Sequence, residues 1–151
     1  MIGKTDEAYL EQGIAKYADR LKHYANFEMK VIADIKNRKT LTEEQQKKAE
    51  GELIAGQLQG GDTLVLLDER GKSLSSTQFA ATLNKMMLSG CKRIVFVVGG
   101  PYGFDNEVYA KANDKISLSP MTFSHQMVRL VFVEQLYRAF TILKGEPYHH
   151  E

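Results

Sequence analysis

One cysteine, Cys91, is all this 151-residue chain contains, which excludes an intramolecular disulfide and a cysteine-rich zinc centre and suits a reducing cytoplasm. No stretch approaches the roughly 20 apolar residues of a membrane helix, and the N-terminus lacks the apolar core of a signal peptide. The expectation is a soluble, cytoplasmic protein with no membrane association. Internal repeats, low-complexity tracts and linkers are also lacking. An excess of positive charge is missing too: a formal net charge of +1 does not make the clearly basic face that advertises nucleic-acid binding. Any contact with RNA must then be local. The candidates are Lys36, Arg38 and Lys39, then Arg129, Arg138 and Lys144, and the terminal His149 and His150, each of which also reads as ordinary solvated surface.

At this length residues 1–151 fit a single domain able to bury about two-thirds of the surface its unfolded chain exposes. Thr5 and Asp6 are placed to cap a helix with Leu10, Ile14, Tyr17 and Leu21 at helical spacing. Between Phe27 and Asp34 the period changes to two, with Phe27, Met29, Val31 and Ala33 on one face and Ile32 off pattern, which reads as a strand. Thr42 with Gln45 offers a capping box for a helix carrying Ala49, Leu53, Ile54 and Leu58, stopped by Gly60-Gly61-Asp62. Residues 63–67 form a short apolar strand, and Asp68-Glu69-Arg70-Gly71-Lys72 turns the chain at its end. Ser75 or Ser76 caps the next helix, which turns Phe79, Leu83 and Met86 or Met87 inward and ends at Gly90.

The apolar run from Arg93 to Val98 is a strand that empties into Gly99-Gly100-Pro101-Tyr102-Gly103. A short helix follows over residues 106–112 and a strand over 115–118. A long helix runs from about Ser124 to Lys144, until Gly145 and Pro147 stop it. Strands alternating with helices specify an α/β fold with a parallel sheet covered on both faces. The last helix is apolar around much of its circumference (Met127, Val128, Leu130, Val131, Phe132, Val133, Leu136, Tyr137, Phe140), so it is either deeply internal or part of a subunit interface; a homodimer is the favoured reading. Met1-Ile2-Gly3-Lys4 looks like the tail of a first strand, so either the start lies too late or this form lacks an edge strand.

Ligands of open α/β sheets bind beyond the carboxyl ends of the strands, so the loops after Leu67, Val98 and Leu118 are candidates for one shared crevice. The glycine loop alone is equally readable as a tight turn. No phosphate loop ending in Lys-Ser/Thr and no GxGxxG occurs, and the histidines have no metal-ligand spacing. Ser119, Ser124 and His125 are close in sequence, but serines at a helix start serve more often as caps than as nucleophiles.

Four ordered motifs, taken together, are more specific. The strand with its 99–103 loop, the segment Ile116-Ser117-Leu118-Ser119-Pro120-Met121-Thr122-Phe123-Ser124-His125-Gln126-Met127-Val128-Arg129, the helix with Glu134-Gln135-Leu136-Tyr137-Arg138-Ala139, and the terminal Pro147-Tyr148-His149 resemble the RlmH family over nearly the whole chain. These are the ribosomal RNA large-subunit pseudouridine N3-methyltransferases of the SPOUT superfamily. The resemblance implies a SPOUT-type α/β domain with a C-terminal trefoil knot, a homodimer, S-adenosyl-L-methionine as methyl donor, and, as substrate, the ring nitrogen at position 3 of a pseudouridine in 23S rRNA of the assembled large subunit or ribosome. Alternatives are a transfer RNA methyltransferase of the same superfamily and a non-catalytic RNA-binding assembly protein.

Carried onto this chain, the resemblance places the donor against Leu67, Gly99, Gly100, Pro101 and Gly103, and against Leu118, Ser119, Pro120, Met121, Thr122, Phe123 and Ser124. Adenine suits an apolar slot such as Leu67, Leu118, Met121 and Phe123 can supply, and the glycines let the chain bend tightly around the cofactor. Methyl transfer from a sulfonium depends chiefly on positioning, with a base to take the ring proton. Candidates for the base are His125, His149 and Glu134, with Tyr148-His149 favoured as a mobile tail closing over a base held by the partner subunit. Arg129 and Arg138 are candidates to hold phosphate or a base carbonyl; Arg129 with Glu134 also reads as a structural pair, and His125 as an anchor for the helix start. Two departures stand out: little of the usual first strand precedes Gly3-Lys4, and His150 stands where Arg or Lys is usual, which ties tail affinity for RNA to pH.

Overall fold

Leu64, Val65, Leu66 and Leu67 are all buried, as four consecutive residues can be only when a strand has neighbours on both edges and cover on both faces. They belong to β1 (Asp62–Ser73), the middle of a three-stranded parallel sheet, with β2 (Arg93–Val98) on one side and β3 (Asp114–Ser117) on the other. The computed structural model from which this follows describes residues 1–35 and 40–150; Lys36, Arg38 and Lys39 lie outside the described residues. In register, Leu67 lies beside Val98 of β2 and Ile116 of β3, so the unbroken part of the β1 ladder finishes level with the carboxyl ends of its neighbours.

Side-chain alternation along β1 sorts the core into two layers. Val65 and Leu67 pack with Phe79 and Leu83 of α3 (Ser76–Leu88), Leu21 of α1 (Ala8–Leu21), and Phe132, Val133, Leu136 and Phe140 of α5 (Met127–Lys144). Leu64 and Leu66 face Ile54 of α2 (Glu43–Ala55), Val108 of α4 (Asn106–Lys111), and Ile2, Val97 and Phe104. Helix α5 packs against both α1 and α3, so cover within this one chain accounts for much of its apolar circumference.

Capping chemistry sets several boundaries. The Thr42–Gln45 and Ser75–Gln78 boxes both form, each hydroxyl accepting from the backbone N–H three residues on and each amide oxygen accepting in return. The cap expected from Thr5 or Asp6 does not: α1 starts after Glu7 without a side-chain cap. Both residues are drawn instead to the start of α5, where Thr5 Oγ1 accepts from Arg129 and Asp6 exchanges two bonds with the Gln126 amide. Helix α2 ends at Ala55, before Gly60, with Leu53 exposed, and Met87 of α3 is exposed where Met86 packs inward. Helix α5 begins at Met127 rather than Ser124, whose hydroxyl accepts from the Met127 N–H at 3.1 Å one turn ahead of it.

The strand expected over residues 27–34 reduces to a parallel bridge between Ile2 and Ile32. Its bonds run from the Ile32 N–H to Met1 O at 2.8 Å and from the Gly3 N–H to Ile32 O at 2.8 Å. Phe27 and Met29 lean on one core layer and Ile32 on the other, which explains why Ile32 breaks the alternation while Val31 is exposed.

The turn expected at 68–72 is instead an excursion within β1. Leu67 and Lys72 both take Ile116 as partner, and Ser73 then pairs with Ser117, so residues 68–71 leave the ladder and return to it. Gly71 makes the return possible: a Cβ there would lie 2.6 Å from the backbone N and C of Ile116.

Candidate active site

Past the level strand ends, the 68–71 excursion, the 99–104 loop and the 117–125 segment enclose a crevice of about 470 Å³. Leu67, Gly99, Gly100, Pro101, Gly103, Leu118, Ser119, Met121, Thr122, Phe123 and Ser124 line it, as does His125. Pro120 does not. Val98, Ile116 and Val128 add to its apolar wall, and Met121, 78 % exposed, and Phe123 stand free at the surface.

The glycine loop owes its composition to the protein beneath it. A Cβ on Gly99 would come within 3.0 Å of the Phe104 ring, and one on Gly100 within 2.5 Å of the buried Glu50 carboxylate, which also accepts from Gln46 Nε2 at 2.8 Å. Gly103 has φ +79° and donates its N–H to Gly100 O at 3.2 Å, closing the turn. At Gly99 and Gly100 the chain's own packing is therefore sufficient reason for glycine.

Serines shape the third loop. Ser117 Oγ donates to Ser119 O at 2.9 Å, Ser119 Oγ accepts from the Met121 N–H at 2.9 Å, and Ser124 Oγ accepts from the Met127 N–H at 3.1 Å. These hydroxyls fold backbone, in keeping with the capping reading.

Opposite them, Asp68 leaves the end of the β1 ladder with both carboxylate oxygens engaged. One accepts from the Arg70 N–H at 2.8 Å and the other from the phenol of Tyr109, which also lines the crevice. The Tyr109 ring meets Phe104 edge-on at 5.8 Å, and the Lys115 ammonium lies 5.6 Å from its centroid. Tyr109 is a site residue that sequence reasoning missed, as are Asp68, Glu69, Arg70, Tyr102 and Phe104; the only signal for Tyr109 was its place one turn into the short helix capped by Asp105.

Burial first, then the hydrogen bond and charge of Asp68, push the Tyr109 phenol up to about 12 from its ordinary 10.0. The folded chain therefore holds that proton more tightly than the unfolded chain. Its contribution to stability is present below pH 10.0 and is lost as pH rises toward about 12. In an alkaline titration followed at 295 nm, Tyr109→Phe should remove a late-ionising phenol; a variant that loses an ordinary one instead would contradict this placement.

The remaining candidates lie apart from the crevice. Glu134 and Arg138 form an ion pair at 2.7 Å on α5, and the tail folds onto it: Tyr148 donates to Glu134 at 3.1 Å, lies 3.2 Å from the Tyr17 hydroxyl, and stacks under Arg138 at 4.7 Å. His149 Nδ1 is 3.4 Å from Arg138 Nη1. Burial, more than its partners, drives the Tyr148 phenol well above the usual range. Four candidates, Glu134, Arg138, Tyr148 and His149, are thus brought together, and the tail expected to be mobile is seated on its own helix. His150 and Lys144 are exposed.

Arg129 belongs to neither group. It is 1 % exposed and donates to Ile2 O at 2.6 Å and Thr5 Oγ1 at 3.0 Å, which is a structural pairing with the N-terminal segment rather than with Glu134. Burial lowers its pKa, with Asp34 and Asp6 partly restoring it. Among the described residues no three His, Cys, Asp or Glu side chains gather as a metal site, and no helix is long and apolar enough to cross a membrane.

Parallel strands that end together at a crevice of loops with apolar and polar side chains make an α/β architecture of the class that takes ligands at its strand ends. Residues 1–149 match the family described as "Predicted SPOUT methyltransferase", and the chain belongs to that family. It is similar to proteins named "Ribosomal RNA large subunit methyltransferase H" from Parabacteroides distasonis (62 % identity, covering 100 % of this chain and 96 % of the relative) and Christiangramia forsetii (61 %, covering 99 % and 95 %). The relative of that name from Bacteroides fragilis is 56 % identical, covering 100 % of this chain and 96 % of its own length.

Proposed function

We propose that this chain methylates ribosomal RNA of the large subunit, taking the methyl group from S-adenosyl-L-methionine and placing it on ring nitrogen 3 of a pseudouridine. The observation that carries the reading is the crevice at the level ends of β1, β2 and β3, in a chain matched to the family over 1–149. The residues fit such a donor. A volume of about 470 Å³ falls within the range of about 300–1,000 Å³ usual for small-molecule pockets, and a lining of apolar and polar side chains in similar measure suits a nucleoside, whose base is flat and whose sugar is polar. Leu67, Leu118, Met121 and Phe123 would hold the adenine, with backbone groups of the 99–103 and 118–124 loops reading its edge. The donor, when bound, supplies a methyl group already activated by the sulfonium.

What remains for the protein is orientation and a proton. His125, on the crevice rim, is the base candidate offered by the same chain. Glu134, Arg138, Tyr148 and His149 do not line their own crevice, and in this reading they serve the crevice of a second copy in a homodimer. The single-domain organisation and the C-terminal knot belong to the same proposal.

Ribosomes lacking the modification, incubated with labelled S-adenosylmethionine and this chain, should take up label in large-subunit RNA. Label in transfer RNA instead would transfer the reading to that substrate. A folded, donor-binding protein that labels neither would overturn the enzymatic reading in favour of an assembly role.

A further inference from the structure

We infer that Asp68, clamped by Tyr109 and the Arg70 backbone amide, is the acceptor that holds the ribose hydroxyls of the nucleoside in the crevice, an assignment that rests on the donor reading above. Asp68 directly follows Leu67, so an anionic acceptor stands beside the apolar slot that suits the base. A sugar is the next group along a nucleoside, and its vicinal diol offers two O–H donors to an acceptor-only carboxylate. Carboxylates on other nucleotide-binding sheets hold ribose hydroxyls by the same chemistry.

The clamp fixes the carboxylate without exhausting it. Each oxygen receives one bond, from the Arg70 N–H at 2.8 Å and from the Tyr109 phenol, while an ionised carboxylate has about four lone-pair sites in all. Tyr109 is itself held by Phe104 and by Lys115 over its ring. A phenol is protonated at neutral pH, so it donates there and adds no negative charge beside the carboxylate. Asp68 is then a binding residue and Tyr109 a positioning residue, aligned before any ligand arrives.

Calorimetric titration of the full chain with S-adenosylhomocysteine, with methylthioadenosine, which keeps the ribose and lacks the amino acid, and with adenine separates the possibilities. Asp68→Asn should weaken both nucleosides about tenfold and leave adenine unchanged, as expected for loss of a hydrogen bond to a charged group. Tyr109→Phe keeps the ring against Phe104 and should weaken both nucleosides by a smaller, equal factor; it also serves as the test should Asp68→Asn fail to fold. Weakening confined to S-adenosylhomocysteine would assign Asp68 to the ammonium and overturn the ribose assignment. Undiminished binding of both nucleosides by the variants would overturn it as well, with the donor reading intact. If the unsubstituted chain binds neither nucleoside, the donor reading falls and this assignment with it.

Discussion

Gly71→Ala should destabilise the fold by about 3 kcal/mol, at the upper end of what overpacking a close-fitted interior costs. The new Cβ would sit 2.6 Å from backbone atoms of Ile116 and Lys115, and no rotamer change relieves a clash with backbone. Relief requires β1 and β3 to part where Lys72 and Ser73 rejoin the ladder. Residues 68–71 would shift with them, so the surviving folded protein should also bind nucleoside more weakly, because Asp68, Glu69 and Arg70 line the crevice. Thermal unfolding with Gly60→Ala as control makes the test specific, since nothing lies within 4 Å of a Cβ at position 60. For a chain near 150 residues a loss of about 3 kcal/mol lowers Tm by roughly 6–12 °C. Equal Tm values for the two variants would remove the steric account of the excursion.

Arg129→Ala should cost a similar amount, by a different route. Arg129 is among the largest fully buried side chains, and its removal leaves a cavity while the Ile2 carbonyl loses its 2.6 Å donor. A buried acceptor left without its bond costs about 1–3 kcal/mol, and the lost packing adds to that. Arg129→Met, which keeps much of the volume, should recover part of the loss but not the part due to Ile2 and Thr5. Calorimetric Tm values should therefore fall in the order parent, Met variant, Ala variant, while nucleoside affinity of the folded fraction changes little. An unchanged Tm with methyl transfer abolished would return Arg129 to the chemistry.

How far the sequence discloses this molecule depends on the distance over which each feature is decided. The capping boxes at Thr42 and Ser75, the β2 strand and the glycine loop are set by residues within a few positions of one another, and all form where local chemistry places them. The three-loop crevice is legible for the same reason, since alternating strands and helices leave little choice about where strand ends point. Contacts between remote residues are not legible. Thr5 and Asp6 look like caps because nothing near them announces Arg129 and Gln126, more than a hundred positions away. Asp68 and Tyr109 meet across 41 positions. Even Gly71, read locally as part of a turn, sits in an excursion of β1 and gains its constraint from Ile116, which no local pattern places beside it.

The pinning of the N-terminal segment by α5 has a kinetic side. The Ile2 carbonyl finds its donor 127 positions later, and β1 waits for partners whose anchoring bonds span 31 and 49 positions. Ends so far apart close slowly, because the entropy of the intervening chain is lost before the contact rewards it. On a translating ribosome the opening helix must emerge and wait with Leu10, Ile14 and Leu21 uncovered until the final helix is made. This fold therefore cannot close before α5 has been made, and a chain released ahead of that helix should present exposed apolar surface to chaperones and proteases rather than a smaller working enzyme.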